Sequence, residues 1–260
     1  MKFITTPIFP HRPSESHHNP GPVRKYYLYV MNTLTPADYS AYWDQAISYP
    51  HYMTNVETEA ATNPTEGNAK YVPINWKRMQ RITKTAQLSP AARELPGQLK
   101  EKIYWLVITE NWCGDSAQST PIMEKMVEAS NGKIEMRFIY RDANLELMNA
   151  HLTGTSQSIP KVIQLDSNFH VIGSWGPRPD KAHQLVLRLK SNPVTAHTYS
   201  EELHKWYAQD KQVGIEAGLL DLVKEAITAQ SAAQQTETAQ QPEAAPQPTT
   251  APATPGTTRQ

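Results

Sequence analysis

A six-residue apolar run, IYWLVI at residues 103–108, constrains the fold more than any other feature of this sequence. No polar side chain interrupts the run, so it lacks the alternation of a strand with one face in water. Such a run is expected of a central strand buried on both faces, which requires helices on both sides of the sheet. The sequence therefore predicts an α/β domain that begins near residue 100.

Strand and helix patterns alternate after this run. Strands are predicted at residues 134–140, 161–165 and 170–175, and helices after residue 114 and at residues 144–152 and 179–189. A tight turn, Asp166-Ser167-Asn168, joins the last two strands. The predicted order is therefore β-α-β-α-β-β-α, followed by a C-terminal helical stretch that begins near Thr198.

Helices are also predicted before the α/β segment. Thr35, Pro36 and Asp38 supply an N-cap, a first-turn proline and an acid at the third helical position. The apolar periodicity of this first helix is expected to end before Pro50. Beyond a polar loop, a second helix is predicted at residues 74–86.

The charge of the chain does not favour a polyanionic partner. Its 25 Lys and Arg residues balance 25 Asp and Glu residues, so neither nucleic acid nor an anionic membrane is predicted to bind. Basic residues on the second predicted helix (Lys77, Arg78, Arg81 and Lys84) are interpreted as a solvated face rather than an anion site. No apolar stretch approaches the roughly 20 residues that a membrane span needs.

The composition includes a single cysteine, Cys113. One thiol excludes an internal disulfide and a cysteine-based zinc site within this sequence, and no metal or other cofactor is predicted. The cytoplasm is the expected location, because a lone thiol stays reduced there.

This cysteine lies in the motif Trp112-Cys113-Gly114-Asp115-Ser116, between the buried strand and the helix that follows. A cysteine at a helix N-terminus faces unpaired backbone N–H groups and the positive end of the helix dipole, which favour the nucleophilic thiolate. Gly114 is expected to let a partner chain approach, and Trp112 is expected to shield the sulfur. The alternative is a buried structural cysteine that acts as a small hydrophobe.

The strand-WCGxx-helix arrangement resembles the thioredoxin superfamily, and other residues agree. Pro121 matches a helix-kinking proline, Ile159-Pro160 matches the cis-proline element opposite the thiol, and Gly176 matches a glycine beyond the last strand. The resemblance covers roughly residues 100–190 and implies a thioredoxin-like α/β fold, a central mixed sheet flanked by helices. It also implies that Ile159 and Pro160 contact an extended substrate.

Longer motifs are similar to a narrower bacterial group of thioredoxin-family proteins with a single-cysteine WCGDS motif. These motifs are NWKRMQRI, TENWCGDSAQ, RDANLELM, SIPKVIQLD, GSWGPRP and LHKWYAQDK. With this resemblance, the predicted organisation is a disordered N-terminal extension (1–32), a helical segment packing on the core (33–99), a thioredoxin-like domain with its C-terminal helix (100–228) and a disordered tail rich in Ala, Gln, Thr and Pro (229–260).

The motif departs from a dithiol thioredoxin at three positions. Ser116 replaces the resolving cysteine, Val107 replaces the buried aspartate, and Asp115 replaces the usual proline. The Asp115 carboxylate should raise the pKa of the Cys113 thiol, whereas a hydrogen bond from Ser116 should lower it. Both side chains are expected to lie in an exposed first turn, and the net direction is open.

Three functions fit these residues. The first is a monothiol thioredoxin-like protein in which Cys113, with Ser116 and Asp115, exchanges through a mixed disulfide faster than a free cysteine. Its partner would be a protein or a low-molecular-weight thiol or disulfide. The second is a non-catalytic module that binds extended polypeptide around Trp112 and Pro160. The third is iron–sulfur cluster ligation between two subunits, and the oligomeric state stays open.

Overall fold

A five-stranded mixed sheet forms the centre of residues 34–240, which are the residues that the computed structural model describes, apart from the side chains of residues 233 and 235–240. The strands are Ile47–Ser48 (β1), Ile103–Thr109 (β2), Ile134–Tyr140 (β3), Lys161–Leu165 (β4) and Val171–Trp175 (β5). The strand order is β1-β3-β2-β4-β5, and β2–β3 is the one parallel pair among these neighbouring strands. The predicted α/β fold with a central mixed sheet is confirmed.

Strand β2 is buried on both faces, as its apolar run predicts. Ile103, Trp105 and Val107 belong to one hydrophobic cluster, whereas Leu106 and Ile108 belong to the cluster on the opposite face. All five side chains are fully buried. Alternating residues of one strand therefore join the two cores of the fold.

Nine helices flank the sheet in the described part of the chain. They are Pro36–Gln45 (α1), Tyr49–Ala61 (α2), Val72–Thr85 (α3), Pro90–Glu94 (α4), Gly114–Ala129 (α5), Leu145–Ala150 (α6), Asp180–Ser191 (α7), Tyr199–Asp210 (α8) and Val213–Gln240 (α9). Helices α1 and α6 supply the core on one face of the sheet, and the longer helices supply it on the other. None of them has both the length and the apolar character needed to cross a membrane.

The N-terminal helices agree with the sequence only in part. Helix α1 begins with the predicted cap, in which the Thr35 hydroxyl accepts from the Asp38 N–H and the Asp38 carboxylate accepts from the Thr35 N–H. This helix ends at Gln45, before Pro50 as predicted, but Pro50 itself lies in the first turn of α2, a helix that was not predicted. Proline lacks an N–H that the first turn leaves unpaired in any case, so it fits a helix start as well as a helix end.

The C-terminal helix α9 continues to Gln240, into the segment expected to be disordered from residue 229. Gln230 anchors this part of the helix. Its amide oxygen accepts from the N–H groups of Lys100 and Glu101, and its amide nitrogen donates to the Glu101 carbonyl. Alanine and glutamine are good helix formers, and these hydrogen bonds add a tertiary contact. The expected disorder of residues 1–32 and 241–260 lies outside the described residues.

Candidate functional site

Cys113 is the N-cap residue of α5, at the end of the turn that follows β2. Its sulfur accepts from the Ser116 N–H at 3.5 Å and donates to the Ile159 carbonyl oxygen at 3.3 Å. The Ile159–Pro160 peptide bond, just before β4, is cis. The structure therefore brings Cys113, Ile159 and Pro160 together across 46 residues of sequence.

The surroundings of Cys113 favour the neutral thiol. Burial is the main cause, since the side chain is only 6% exposed, and the Asp115 carboxylate adds to it. Hydrogen bonds from the Ser116 hydroxyl and from the N–H groups of Ser116 and Asp115 act in the opposite direction. Together these effects raise the pKa of Cys113 to about 11. This direction differs from the reactive thiolate that the helix N-terminus alone suggests, because desolvation outweighs the helix dipole here.

Alkylation of Cys113 in the folded protein should therefore depend steeply on pH. Only the thiolate reacts, so the rate is expected to rise about tenfold per pH unit between about pH 7 and about pH 10. An ordinary cysteine has a pKa of about 8.5 and would level off within that range. Iodoacetamide labelling followed by mass spectrometry measures the rate, with glutathione as the control thiol. A plateau reached below about pH 8 would contradict the buried thiol.

Asp115 and Ser116 do not lie in an exposed first turn, so that expectation is wrong. Asp115 is 7% exposed, and Ser116 is fully buried. The Ser116 hydroxyl oxygen accepts from the Thr109 hydroxyl at 2.8 Å. The exposed-turn expectation fails because α8 and the segment before α7 cover this end of α5.

The carboxylate of Asp115 is held by two residues from that covering layer. Arg178 donates to it from Nε at 3.0 Å and from Nη2 at 2.5 Å, and the Tyr207 hydroxyl donates at 2.6 Å. The side chains of Arg178 and Asp115 are 13% and 8% exposed. The buried ion pair ties the segment before α7 to the first turn of α5, beside Cys113, and the Tyr207 hydrogen bond ties α8 to it.

The space beside Gly114 is filled by His204 of α8. A Cβ atom added to Gly114 would lie 2.8 Å from Cε1 and 2.9 Å from Nε2 of His204. The glycine thus admits a side chain of this chain, whereas the sequence suggested room for a partner chain. Burial and the nearby Arg78 lower the pKa of His204 to about 4, so its imidazole is neutral at physiological pH.

Trp112 lies at the rim of both hydrophobic clusters and is partly buried. The Arg141 guanidinium carbon lies 5.0 Å from the centre of its ring, which is a cation–π distance. One face of the indole is therefore covered by Arg141 and does not form an open platform.

A cleft of about 450 Å³ lies over Cys113. Its walls come from α3, from the loop before β4, from the segment between β5 and α8, and from the first turns of α8. The sequence analysis missed most of the basic and imidazole side chains that line it, which are Arg141, Arg178, Lys190, His197 and His204. It noted Arg78 but interpreted it as solvated. Arg78 instead lines the cleft and is only partly exposed, whereas Lys77, Arg81 and Lys84 are exposed.

Comparison with known proteins gives one family and two solved structures. Residues 62–197, more than half of the chain, match the sequence model of the family described as thioredoxin. The crystal structure of a protein of unknown function from Pseudomonas aeruginosa is similar, with a TM-score of 0.51 and 19% identity over 72% of this chain and 98% of that one. An HIV epitope-scaffold matches with a TM-score of 0.49 and 17% identity over 72% and 97%. No curated protein matches significantly. The first of these structures supports the fold alone.

Proposed function

This chain belongs to the thioredoxin family, and on that premise we propose that Cys113 carries out thiol–disulfide exchange through an intermolecular mixed disulfide. One observation carries the proposal. The sulfur lies at the N-terminus of α5, contacts the Ile159 carbonyl beside Pro160, and opens into a cleft large enough for a small ligand. Small-molecule sites have volumes of about 300–1,000 Å³, and this cleft is within that range.

In the proposed step, one thiol and one disulfide react to give a mixed disulfide and a new thiol. The thiolate of Cys113 attacks one sulfur of a small disulfide, a bond forms between the two sulfurs, and the original S–S bond breaks. The departing sulfur leaves as a thiolate and takes up the proton that Cys113 released. The ligand disulfide is reduced to one thiol, and Cys113 is oxidised to a mixed disulfide. A second small thiol reverses the step, because Ser116 cannot close a ring.

The raised pKa of the Cys113 thiol slows both the formation of the mixed disulfide and its resolution. Few Cys113 side chains are ionised near neutral pH, so attack by the resting protein is slow. The same pKa makes Cys113 a poor leaving group, because thiols of lower pKa depart faster. We therefore propose that Cys113 forms its mixed disulfide slowly and that this mixed disulfide is then resolved slowly. The expectation of faster exchange than a free cysteine is replaced by this one.

A binding module without turnover is the second candidate, and the neutral thiol favours it. In that case the cleft would hold its ligand without a covalent bond. The cluster-ligation alternative needs the sulfurs of two subunits on one cluster, which a 6% exposed cysteine does not favour. The exchange proposal also suits the cytoplasm, where low-molecular-weight thiols keep cysteine reduced.

Mass spectrometry of the intact protein after incubation with glutathione disulfide tests the exchange. One mixed-disulfide adduct per chain is expected, forming faster as the pH rises and disappearing with dithiothreitol. Cys113→Ser should form none. If the folded wild-type protein forms no adduct even at about pH 10, the thiolate is inaccessible and the binding module is the better function.

A further inference from the structure

We infer that the cleft over Cys113 selects a small ligand that carries carboxylates, so that the disulfide in the exchange proposed above is an anionic one. The covalent step in this inference rests on the proposed function, whereas the preference for an anionic ligand rests only on the charges of the cleft. Four of its lining side chains are arginine or lysine, and one is a carboxylate. The whole chain has no net charge, so this is a local concentration of cations.

The single carboxylate is already neutralised. Asp115 is held by Arg178 and Tyr207, which leaves it no net attraction for a further cation. Arg141 has a partial counter-ion, because Asp142 lies 2.7 Å from its Nη2, but that carboxylate side chain is 58% exposed. Solvent weakens such a pair, so Arg141 keeps part of its attraction for an anion.

Arg78 has no counter-ion in the described part of the chain. Its Nη1 donates to the Asn75 side-chain oxygen at 2.8 Å, and its burial together with the nearby Arg81 lowers the pKa of its guanidinium. The same Nη1 lies 3.8 Å from the position of a Cβ on Gly114, directly beside the Cys113 turn. A partly buried guanidinium without a carboxylate is costly, and an anionic ligand would relieve that cost.

Lys190 is a second cation of the cleft that lacks a carboxylate partner within residues 34–240. Its Nζ lies 4.2 Å from the centre of the Tyr199 ring, which positions the ammonium without neutralising it. Ser200 lines the same cleft and provides a hydroxyl group for an amide or a carboxylate. A ligand with carboxylates spread along a short chain therefore meets charged and polar donors around the thiol.

Binding of matched disulfides to Cys113→Ser tests the selection without the exchange step. The probes are dithiodiglycolate, which carries two carboxylates, bis-hydroxyethyl disulfide, which is neutral, and cystamine, which carries two ammonium groups. Calorimetry is expected to find the dianion bound about tenfold or more tighter than the neutral probe, with cystamine weakest and the preference reduced by added salt. Equal binding of the three probes would overturn the inference.

Two variants on α3 test whether the preference for the dianion comes from the cleft. Arg78→Gln, introduced together with Cys113→Ser, should reduce the preference for the dianion by about tenfold. Arg81→Gln removes the same charge three residues later, from an exposed side chain that does not line the cleft, and should leave the preference unchanged. An equal loss in both variants would indicate a diffuse field and contradict a site at Arg78.

The wild-type protein separates this inference from the proposed function. If wild-type Cys113 forms no adduct but Cys113→Ser still prefers the dianion, the exchange fails and the anion site stands. If wild-type Cys113 forms adducts with all three disulfides at rates that reflect only their own reactivity, and Cys113→Ser binds none selectively, the exchange stands and the anion site fails.

Discussion

Gly176→Ala is expected to lower the free energy of unfolding by more than about 4 kcal/mol, a loss that few single substitutions produce. Gly176 follows β5 with a φ of +116°, in the region that glycine occupies far more readily than other residues. A Cβ at this position would lie 2.1 Å from the Pro160 carbonyl oxygen. That oxygen belongs to the backbone entering β4, which β2 and β5 hold on both sides, so it cannot move aside without disturbing the sheet.

Two other glycines separate the causes of this loss. Gly132 has a φ of +80°, and a Cβ on it would meet nothing within 4 Å, so Gly132→Ala should show only the backbone cost of about 1–3 kcal/mol. Gly97 has neither a positive φ nor a close neighbour, and Gly97→Ala should be close to neutral. Urea denaturation of the three variants measures the differences. A loss in Gly176→Ala no larger than that in Gly132→Ala would mean that the contact with Pro160 is not tight.

Four of the five strands were predictable from local sequence because each has its own signal, whereas the two-residue β1 was not predicted. The run at residues 103–108 is typical of a central strand, and the strands at 134–140 and 161–165 have the bounds predicted for them. The turn residues Asn131-Gly132 and Pro160 lie just before these two strands and indicate where they begin. Helix α2 was missed for the opposite reason, since Pro50 is compatible with both the end and the start of a helix.

Only those parts of the site that are contiguous in the sequence, or that the family resemblance identifies, could be predicted. Cys113 and its motif are contiguous, and Pro160 is identified by the resemblance. The partners of Asp115 are 63 and 92 residues away, and no periodicity relates their positions to the motif. Sequence patterns describe which face of an element is apolar, but they do not specify which helix covers its end. The burial of the motif, and with it the direction of the Cys113 pKa, therefore follows from tertiary structure.

Arg78 shows the same dependence on tertiary structure, although the helix that carries it was predicted. Four basic residues on α3 look alike in the sequence, and three of them are solvated as expected. Arg78 differs because the turn before Cys113 packs against its helix, where Asn75 donates to the Asn111 carbonyl at 3.2 Å. The helical period places Arg78 one turn from Asn75 and hence at the cleft. The site could have been inferred only with this docking known.

Asp115→Asn is expected to lower the free energy of unfolding by about 3 kcal/mol, because it leaves the Arg178 guanidinium buried without its counter-ion. The Tyr207 hydroxyl would keep an acceptor, so the loss reports mainly on the ion pair. Asp142→Asn is the matched control, since it breaks an arginine–carboxylate pair of similar length that is exposed to solvent. Such a pair contributes about 0–1 kcal/mol. Equal losses in the two variants would show that the Asp115 pair is solvated.

The same substitution should increase the reactivity of the thiol while it weakens the fold. Asp115 raises the pKa of Cys113, and its removal also leaves the positive charge of Arg178 unbalanced nearby. Both changes favour the thiolate, so the alkylation rate of Cys113 at about pH 7 should rise by about tenfold for each unit that the pKa falls. The comparison is made well below the denaturation midpoint, with the rate measured at two urea concentrations to exclude reaction through the unfolded state. If stability falls while the native-state rate stays unchanged or decreases, the carboxylate does not act on the sulfur, and burial alone sets the Cys113 pKa. A rise in rate together with the loss of stability would show that this ion pair stabilises the fold while it holds the thiol in its neutral form.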